Sequence, residues 1–276
     1  RNVRGLRLYT QSWTPNVPPK AIMFICHGYG GHTSWTMLHV IHKFVEQGFV
    51  VHAIDYEGHG RSDGLHLYIE RIDYLVQVQQ FCDRSNLGMC LGLYRYPGLK
   101  AFVFGLSFGG AIALQCTLEK PTLLDGCVLL CPMCKIADEI KPSPAVISVL
   151  QLLQLLCPRL PMTPTKFNNN KVLNAIVQPV RKQIYKDEEF RQFVQSDPII
   201  FPGKPRFRTA NQLLQFSLAL ERRLPRVAVP FIVMHGAEDV ITSPEVSKKL
   251  FEVAASRDKT LRIYEGMWHD LLHYEQ

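Results

Sequence analysis

Residues 101–115 read AFVFGLSFGGAIALQ: an apolar run, a serine bracketed by glycines at Ser107, and a small-residue segment of helical character. The pattern spells strand, sharp turn, helix. Gly105-Leu106-Ser107-Phe108-Gly109 fits G-x-S-x-G, the turn that exposes a serine hydroxyl above the end of a sheet strand. A non-glycine residue held at an unusual backbone angle costs about 1–3 kcal/mol, and strand and helix approach closely only where the flanking positions carry no side chain. Composition alone would produce the five-residue pattern in roughly one chain in ten of this length. Placement makes it informative: 101–104 is a buried-strand run, and 110–118 is a good helix former that stops before Pro121.

Outward from the elbow, residues 21–26 (AIMFIC) and 49–54 (FVVHAI) read as buried strands, with a helix over 35–47 between them that Gly48 stops. Residues 6–13 alternate apolar and polar and precede Pro15, Pro18 and Pro19, which predicts an edge strand and a loop. Helical periodicity runs over 69–83, and 126–130 is a further strand. Strands 231–234 and 261–264 flank a helix over 244–255. This rhythm predicts an α/β fold: a mostly parallel central sheet with helices on both faces and functional groups at the carboxyl ends of the strands. From 132 to 207 the rhythm breaks, prolines recur and no buried strand appears. We read residues 1–131 and 208–276 as the core and 132–207 as an inserted helical cap. Within it, VISVLQLLQLL leaves only a narrow polar stripe, which suits either a core helix or a cap helix whose apolar face meets lipid or a long-chain substrate.

The 276 residues suit one domain with an insertion, and 47% hydrophobic with 20% charged residues excludes a disordered chain. A net charge of +7 favours anionic surfaces such as membranes, but no arginine-aromatic motif points to nucleic acid. The eight cysteines are scattered, several in apolar strands, as expected in a reducing, cytoplasmic compartment. Cys131 and Cys134 form a C-x-x-C without a second pair or nearby histidine, so a core role is expected there rather than zinc. No apolar run reaches the ~18 residues of a membrane span. The first residue is Arg1, and the last apolar run is followed by little chain, which reads as trimming at both ends and leaves little room for a closing helix after His269.

A serine hydroxyl needs an adjacent base to act as a nucleophile at neutral pH, and the base needs a carboxylate that fixes its tautomer. Ser107, Asp239 and His269 each follow a predicted strand, in the order serine, acid, histidine. His27 and His59 precede glycines in tight loops, where a ring orders the turn. His273, four residues past His269, is the main rival base, and Glu238 the rival acid. Asp55 is expected to brace the loop of Gly58–Gly64. The developing oxyanion needs two donors, assigned to the N–H of Phe108, after the nucleophile, and the N–H of Tyr29 in the glycine-rich loop. This chemistry requires no metal and no cofactor.

In the segments HGYGGH, DYEGHGRSDG, GLSFGG, HGAEDVITSP and DKTLRIYEGMWHD, the chain resembles the monoacylglycerol lipase family of α/β hydrolases. The likeness is greatest to plant-type members, which include caffeoylshikimate esterase-like and lysophospholipase-like enzymes. The resemblance implies the α/β-hydrolase fold, a serine esterase acting on a lipid or small ester, and the same five residues: Ser107, Asp239, His269, Tyr29 and Phe108. Peripheral membrane contact through the cap is expected; oligomeric state is left open. Two departures bear on substrate. Leu106 and Phe108 replace the family's usual histidine or glutamate and methionine beside the serine, and Gly31 and Trp35 stand where animal-type lipases carry charged glycerol contacts. An aromatic alcohol or a lysophospholipid head group is therefore the alternative to glycerol, and a non-catalytic small-molecule receptor on the same fold is the alternative of another class.

Overall fold

The computed structural model describes residues 1–80, 93–135, 143–162, 184–201 and 204–273. Seven strands form one sheet: β1 (Thr10–Trp13), β2 (Ala21–Cys26), β3 (Phe49–Ile54), β4 (Lys100–Leu106), β5 (Gly126–Leu130), β6 (Phe231–Gly236) and β7 (Lys259–Tyr264). Their order is β1-β3-β2-β4-β5-β6-β7, and only β1 runs antiparallel, pairing Thr10 with Ile54. The edge strand is shorter than its alternation predicts, because residues 6–9 continue as a loop that hydrogen-bonds the turn after β3.

Alternate residues of a strand face opposite sides, and here both sides are apolar. Ile22, Phe24 and Cys26 of β2 pack with helix α2 (Ile72–Gln80) and helix α3 (Phe108–Glu119), while Met23 and Ile25 pack with Met37 and Ile41 of helix α1 (Trp35–Glu46). α3 is buried nearly all round, as expected of a helix at the centre of a domain. Its glycines permit that position: a Cβ on Gly109 would stand 2.0 Å from Cys26 O, and one on Gly105 would stand 2.6 Å from Gly109 O.

Between β5 and β6 lie α4 (Pro144–Leu156), α5 (Glu188–Gln195) and α6 (Phe207–Glu221). Ser143 caps α4 and Asp187 caps α5, each accepting a backbone N–H of the first turn. Leu150 of α4 packs on Ala210 and Leu214 of α6, but its far face leaves Val149, Leu152, Leu155 and Leu156 more than half exposed, at 56, 55, 66 and 71%. No helix among the described residues is long and apolar enough to cross a membrane. Helix α7 (Pro244–Val253) packs behind β6 through Val246 and Leu250. After His269 the described chain, to residue 273, forms bends rather than a helix.

Candidate active site

Ser107 follows β4 at φ +54°, one of three non-glycine residues with positive φ among the described residues. Such a backbone persists only where the surroundings over-determine it. The Ser107 N–H donates to Leu130 O at 2.8 Å, and Ser107 O accepts from Gly110 N and Met133 N, both at 2.9 Å. The loop after β2 lies against it, since a Cβ on Gly28 would stand 3.6 Å from Ser107 Cβ. Tyr29 follows in that loop, its ring edge-on to Phe108 at 6.4 Å and its hydroxyl donating to Leu67 O at 2.9 Å. The amides of Tyr29 and Phe108 have no hydrogen-bond partner among the described residues, which leaves both free to donate.

The loops after β6 and β7 meet because Gly236 has no side chain: a Cβ there would stand 2.1 Å from Trp268 O. Ala237 N–H donates to Tyr264 O at 2.9 Å and Glu238 N–H to Met267 O at 3.0 Å. Asp239 and His269 are thereby brought together, buried, with His269 Nδ1 2.6 Å from Asp239 Oδ2. A carboxylate only accepts, so Nδ1 carries the proton and Nε2 keeps its lone pair, as a general base requires. The second oxygen, Oδ1, accepts from the N–H groups of Ile241 at 2.7 Å and Thr242 at 3.1 Å.

Two further side chains brace the acid, and the sequence reading did not include them. His235 Nε2 lies 3.0 Å from Asp239 Oδ2 and 2.6 Å from Thr242 O, and Nδ1 lies 2.6 Å from Ser247 Oγ. The Thr242 carbonyl accepts only, so His235 is protonated at Nε2. Thr242 Oγ1 stands 3.0 Å from Asp239 Oδ2, 3.2 Å from His269 Nδ1 and 3.0 Å from Cys131 O. Burial alone would raise the Asp239 carboxyl, but the attraction it gains whenever His269 takes up a proton, with hydrogen bonds from His235 and His269, outweighs burial and holds the group well below the ordinary carboxylate range.

Cys131 ties this dyad to the serine strand. It follows Leu130, whose carbonyl holds Ser107, and its Sγ, a ring nitrogen of His269 and a carboxylate oxygen of Asp239 all lie within 4.8 Å of one another. This trio is the one group among the described residues able to approach a metal ion. Two zinc ligands on a tetrahedral ion stand about 3.3 Å apart, so the 2.6 Å hydrogen bond between Asp239 and His269 fits a proton better than a cation. Ser107 Oγ and His269 Nε2 form no hydrogen bond with each other in this structure. Their contact is the one element of the predicted triad not made, and such bonds often tighten only around substrate.

The rivals are otherwise engaged. His273 Nδ1 is 2.8 Å from Asp270, and its ring stacks on Phe190. Among the described residues, the Glu238 side chain accepts only from Trp268 Nε1, at 3.3 Å. Asp55 binds Thr33 and the N–H of Arg61, bracing the loop after β3. His27 Nε2 accepts the Tyr56 N–H at 3.0 Å, and His59 Nδ1 donates to Glu57 O at 2.9 Å. Burial depresses these two imidazoles to about 3 and about 4, so both are neutral at pH 7. A cavity of about 670 Å³ opens at the opposite, amino ends of the strands, beside Lys100, Asp125 and Pro230, away from Ser107.

A family model described as serine aminopeptidase, S33 matches residues 17–276. Among curated relatives, a caffeoylshikimate esterase of Arabidopsis thaliana is 32% identical over 271 residues, covering 98% of this chain and 77% of that protein. A monoglyceride lipase of Homo sapiens is also 32% identical, covering 99% and 83%. Solved structures share the fold: a monoacylglycerol lipase of Paleococcus ferrophilus has a TM-score of 0.76 at 21% identity, covering 97% of this chain and 92% of that one. A soluble variant of monoglyceride lipase from Saccharomyces cerevisiae, in complex with a substrate analogue, has 0.77 at 20%, covering 98% and 86%.

Proposed function

The chain belongs to the serine aminopeptidase S33 family and is a serine hydrolase of the α/β-hydrolase fold; from that premise we propose that Ser107, Asp239 and His269 are its triad and that it hydrolyses monoacylglycerol-like esters. The observation that carries the assignment is the 2.6 Å Asp239–His269 bond beside a serine held at positive φ on a strand-to-helix elbow. In the first half-reaction His269 Nε2 takes the Ser107 proton as Oγ bonds to the ester carbonyl carbon. The N–H groups of Tyr29 and Phe108 stabilise the oxyanion, and the alcohol leaves with the proton from His269. In the second half-reaction water gives a proton to His269 as it attacks the acyl carbon; the bond from that carbon to Oγ then breaks, His269 returns the proton to Ser107, and the fatty acid leaves.

The lipid reading is supported by relatives that carry the lipase name and by the exposed apolar face of α4. We assign residues 132–207 to a cap over the carboxyl ends of the strands and 1–131 with 208–276 to the core. The cap's apolar face and the chain's positive charge suit peripheral contact with a membrane surface.

A fluorophosphonate probe tests the triad: wild type is labelled at Ser107 and Ser107→Ala is not. Folded wild type that resists labelling removes the esterase reading in favour of a small-molecule receptor. The substrate is tested by turnover of 1-oleoylglycerol against caffeoyl shikimate, and faster turnover of the second reassigns the enzyme to hydroxycinnamoyl esters.

A further inference from the structure

Residues 140–186 contain seven lysines and arginines and no aspartate or glutamate, matching the whole chain's net charge of +7. One of these cations, Arg159, stands beside Arg206 and Arg208 on two antiparallel passes of chain. Pro161 bridges Arg206, Phe207 N–H donates to Leu160 O at 3.1 Å, and Arg208 N–H donates to Pro158 O at 3.1 Å. Arg206 is gripped by neutral groups, donating from Nε to His66 O at 3.1 Å and from Nη1 to Arg159 O. Its charge is thus fixed in place, and no ion pair among the described residues cancels it. Arg208 Nε is buried without a hydrogen-bond partner. The arginine ion pairs of the described residues belong to Arg4, Arg7, Arg71 and Arg191, not to these three.

This collar adjoins the reaction site through one side chain. Arg206 holds the carbonyl of His66, and the next carbonyl, of Leu67, accepts both the Tyr29 hydroxyl at 2.9 Å and the Thr209 hydroxyl at 3.0 Å. The Tyr29 amide, at the other end of that residue, is a proposed oxyanion donor. Arg206 is therefore linked to the reaction site through the His66 and Leu67 carbonyls and the Tyr29 side chain, on the side from which the alcohol half of an ester can reach it.

We infer that Arg159, Arg206 and Arg208 form a subsite for an oxyanion, phosphate or carboxylate, carried on the alcohol half of the ester, an inference that rests on the triad reading above. Guanidinium groups suit the task because their forked donors match both oxyanions bidentately. Holding Arg206 beforehand removes the ordering cost that a mobile side chain would incur on binding.

The test compares 1-oleoylglycerol with its 3-phosphate, which share acyl chain and ester and differ by one phosphate, each in neutral detergent micelles. Wild type is expected to favour the phosphate in kcat/KM. In Arg159→Ala and Arg208→Ala the ratio of the two values should fall roughly tenfold to a hundredfold, as for loss of a charge-assisted hydrogen bond. The ratio is internal to each variant, so partial misfolding cancels. A wild-type preference for the neutral ester, or a ratio within twofold of wild type in both variants, overturns the subsite. Binding of glycerol 3-phosphate and of free shikimate, followed by NMR, gives a readout without turnover and separates the two anions. Saturable binding of either that needs the arginines, without hydrolysis of any ester, keeps the subsite and removes the esterase. Absence of binding together with an unchanged ratio removes the subsite alone.

Discussion

Replacing Asp239 by asparagine takes one charge and one acceptor from a side chain whose two oxygens face different partners. Oδ1 accepts the fixed N–H groups of Ile241 and Thr242, so the amide carbonyl must take that place. The NH2 then stands where Oδ2 accepted His269 at 2.6 Å and His235 at 3.0 Å. His235 cannot turn its proton away, because the same Nε2 faces the Thr242 carbonyl at 2.6 Å, and two donors are left opposed. His269 must accept at Nδ1, which moves its own proton to Nε2 and removes the lone pair that Ser107 needs. Losing two hydrogen bonds to a carboxylate, at about 1.5–3 kcal/mol each, predicts a destabilisation of about 3–6 kcal/mol. The corresponding loss in melting temperature is at least about 6 °C for a domain of this size. The wrong tautomer in a serine triad costs about 10⁴-fold in kcat. Urea unfolding reads the first effect, and ester hydrolysis with fluorophosphonate labelling, normalised to folded protein, reads the second. Glu238→Gln, at an acid that holds only Trp268 among the described residues, should stay within about threefold. The reasoning is refuted if folded Asp239→Asn labels within tenfold of wild type while Glu238→Gln loses its reactivity.

Stability should fall on acidification in two windows. His27 and His59 are depressed to about 3 and about 4, so their contribution is full above the unfolded histidine value of about 6.5 and is lost as pH falls toward the folded values. Asp239 is also depressed, so its share is present above about 3.9 and goes only in stronger acid. Urea midpoints that do not change between pH 7.5 and 4.5 would contradict the first window. Gly109→Ala should destabilise by at least about 3 kcal/mol or prevent folding, since the new Cβ meets the Cys26 carbonyl at 2.0 Å; a soluble variant with an unchanged melting temperature would count against the packing described. Asp197→Ala should cost about 3–5 kcal/mol by stranding the buried donor of His32 at 2.8 Å and the half-buried one of Trp35 at 2.5 Å, and a melt within 2 °C of wild type would show that this contact contributes little.

The parts of the fold that were legible in advance were those that local chemistry determines. Glycines at 105 and 109 announced the elbow, and all-apolar strands such as AIMFIC announced a sheet buried on both faces. Asp239 and His269 could be paired because each follows a strand at the same end of the sheet. What remained hidden was contact between residues remote in sequence. Nothing in the order of residues says that His235 turns back on Asp239, although a histidine ending the strand four positions before the acid was the available clue. Cys131, read as a core thiol, is buried as expected, yet it lies against the dyad because its strand sits between those of the serine and the acid. Helix ends shifted by a few residues, as at α7, where periodicity continues past the last backbone hydrogen bond, while the expected end of α2 at 83 lies outside the described residues.

The tie between His32 and Asp197 joins positions 165 residues apart, one in the loop that carries Tyr29 and the other just past α5. Trp35 shares the same carboxylate oxygen and stacks edge-on with Phe193 at 4.4 Å. Any attempt to transplant the stretch between β5 and α6 from a relative, in order to exchange substrate preference, must therefore bring an acid to position 197. A donor segment lacking it would leave the loop of Tyr29, the proposed oxyanion donor, without its outer support, and such chimeras should lose rate on every ester alike rather than acquire the donor's selectivity.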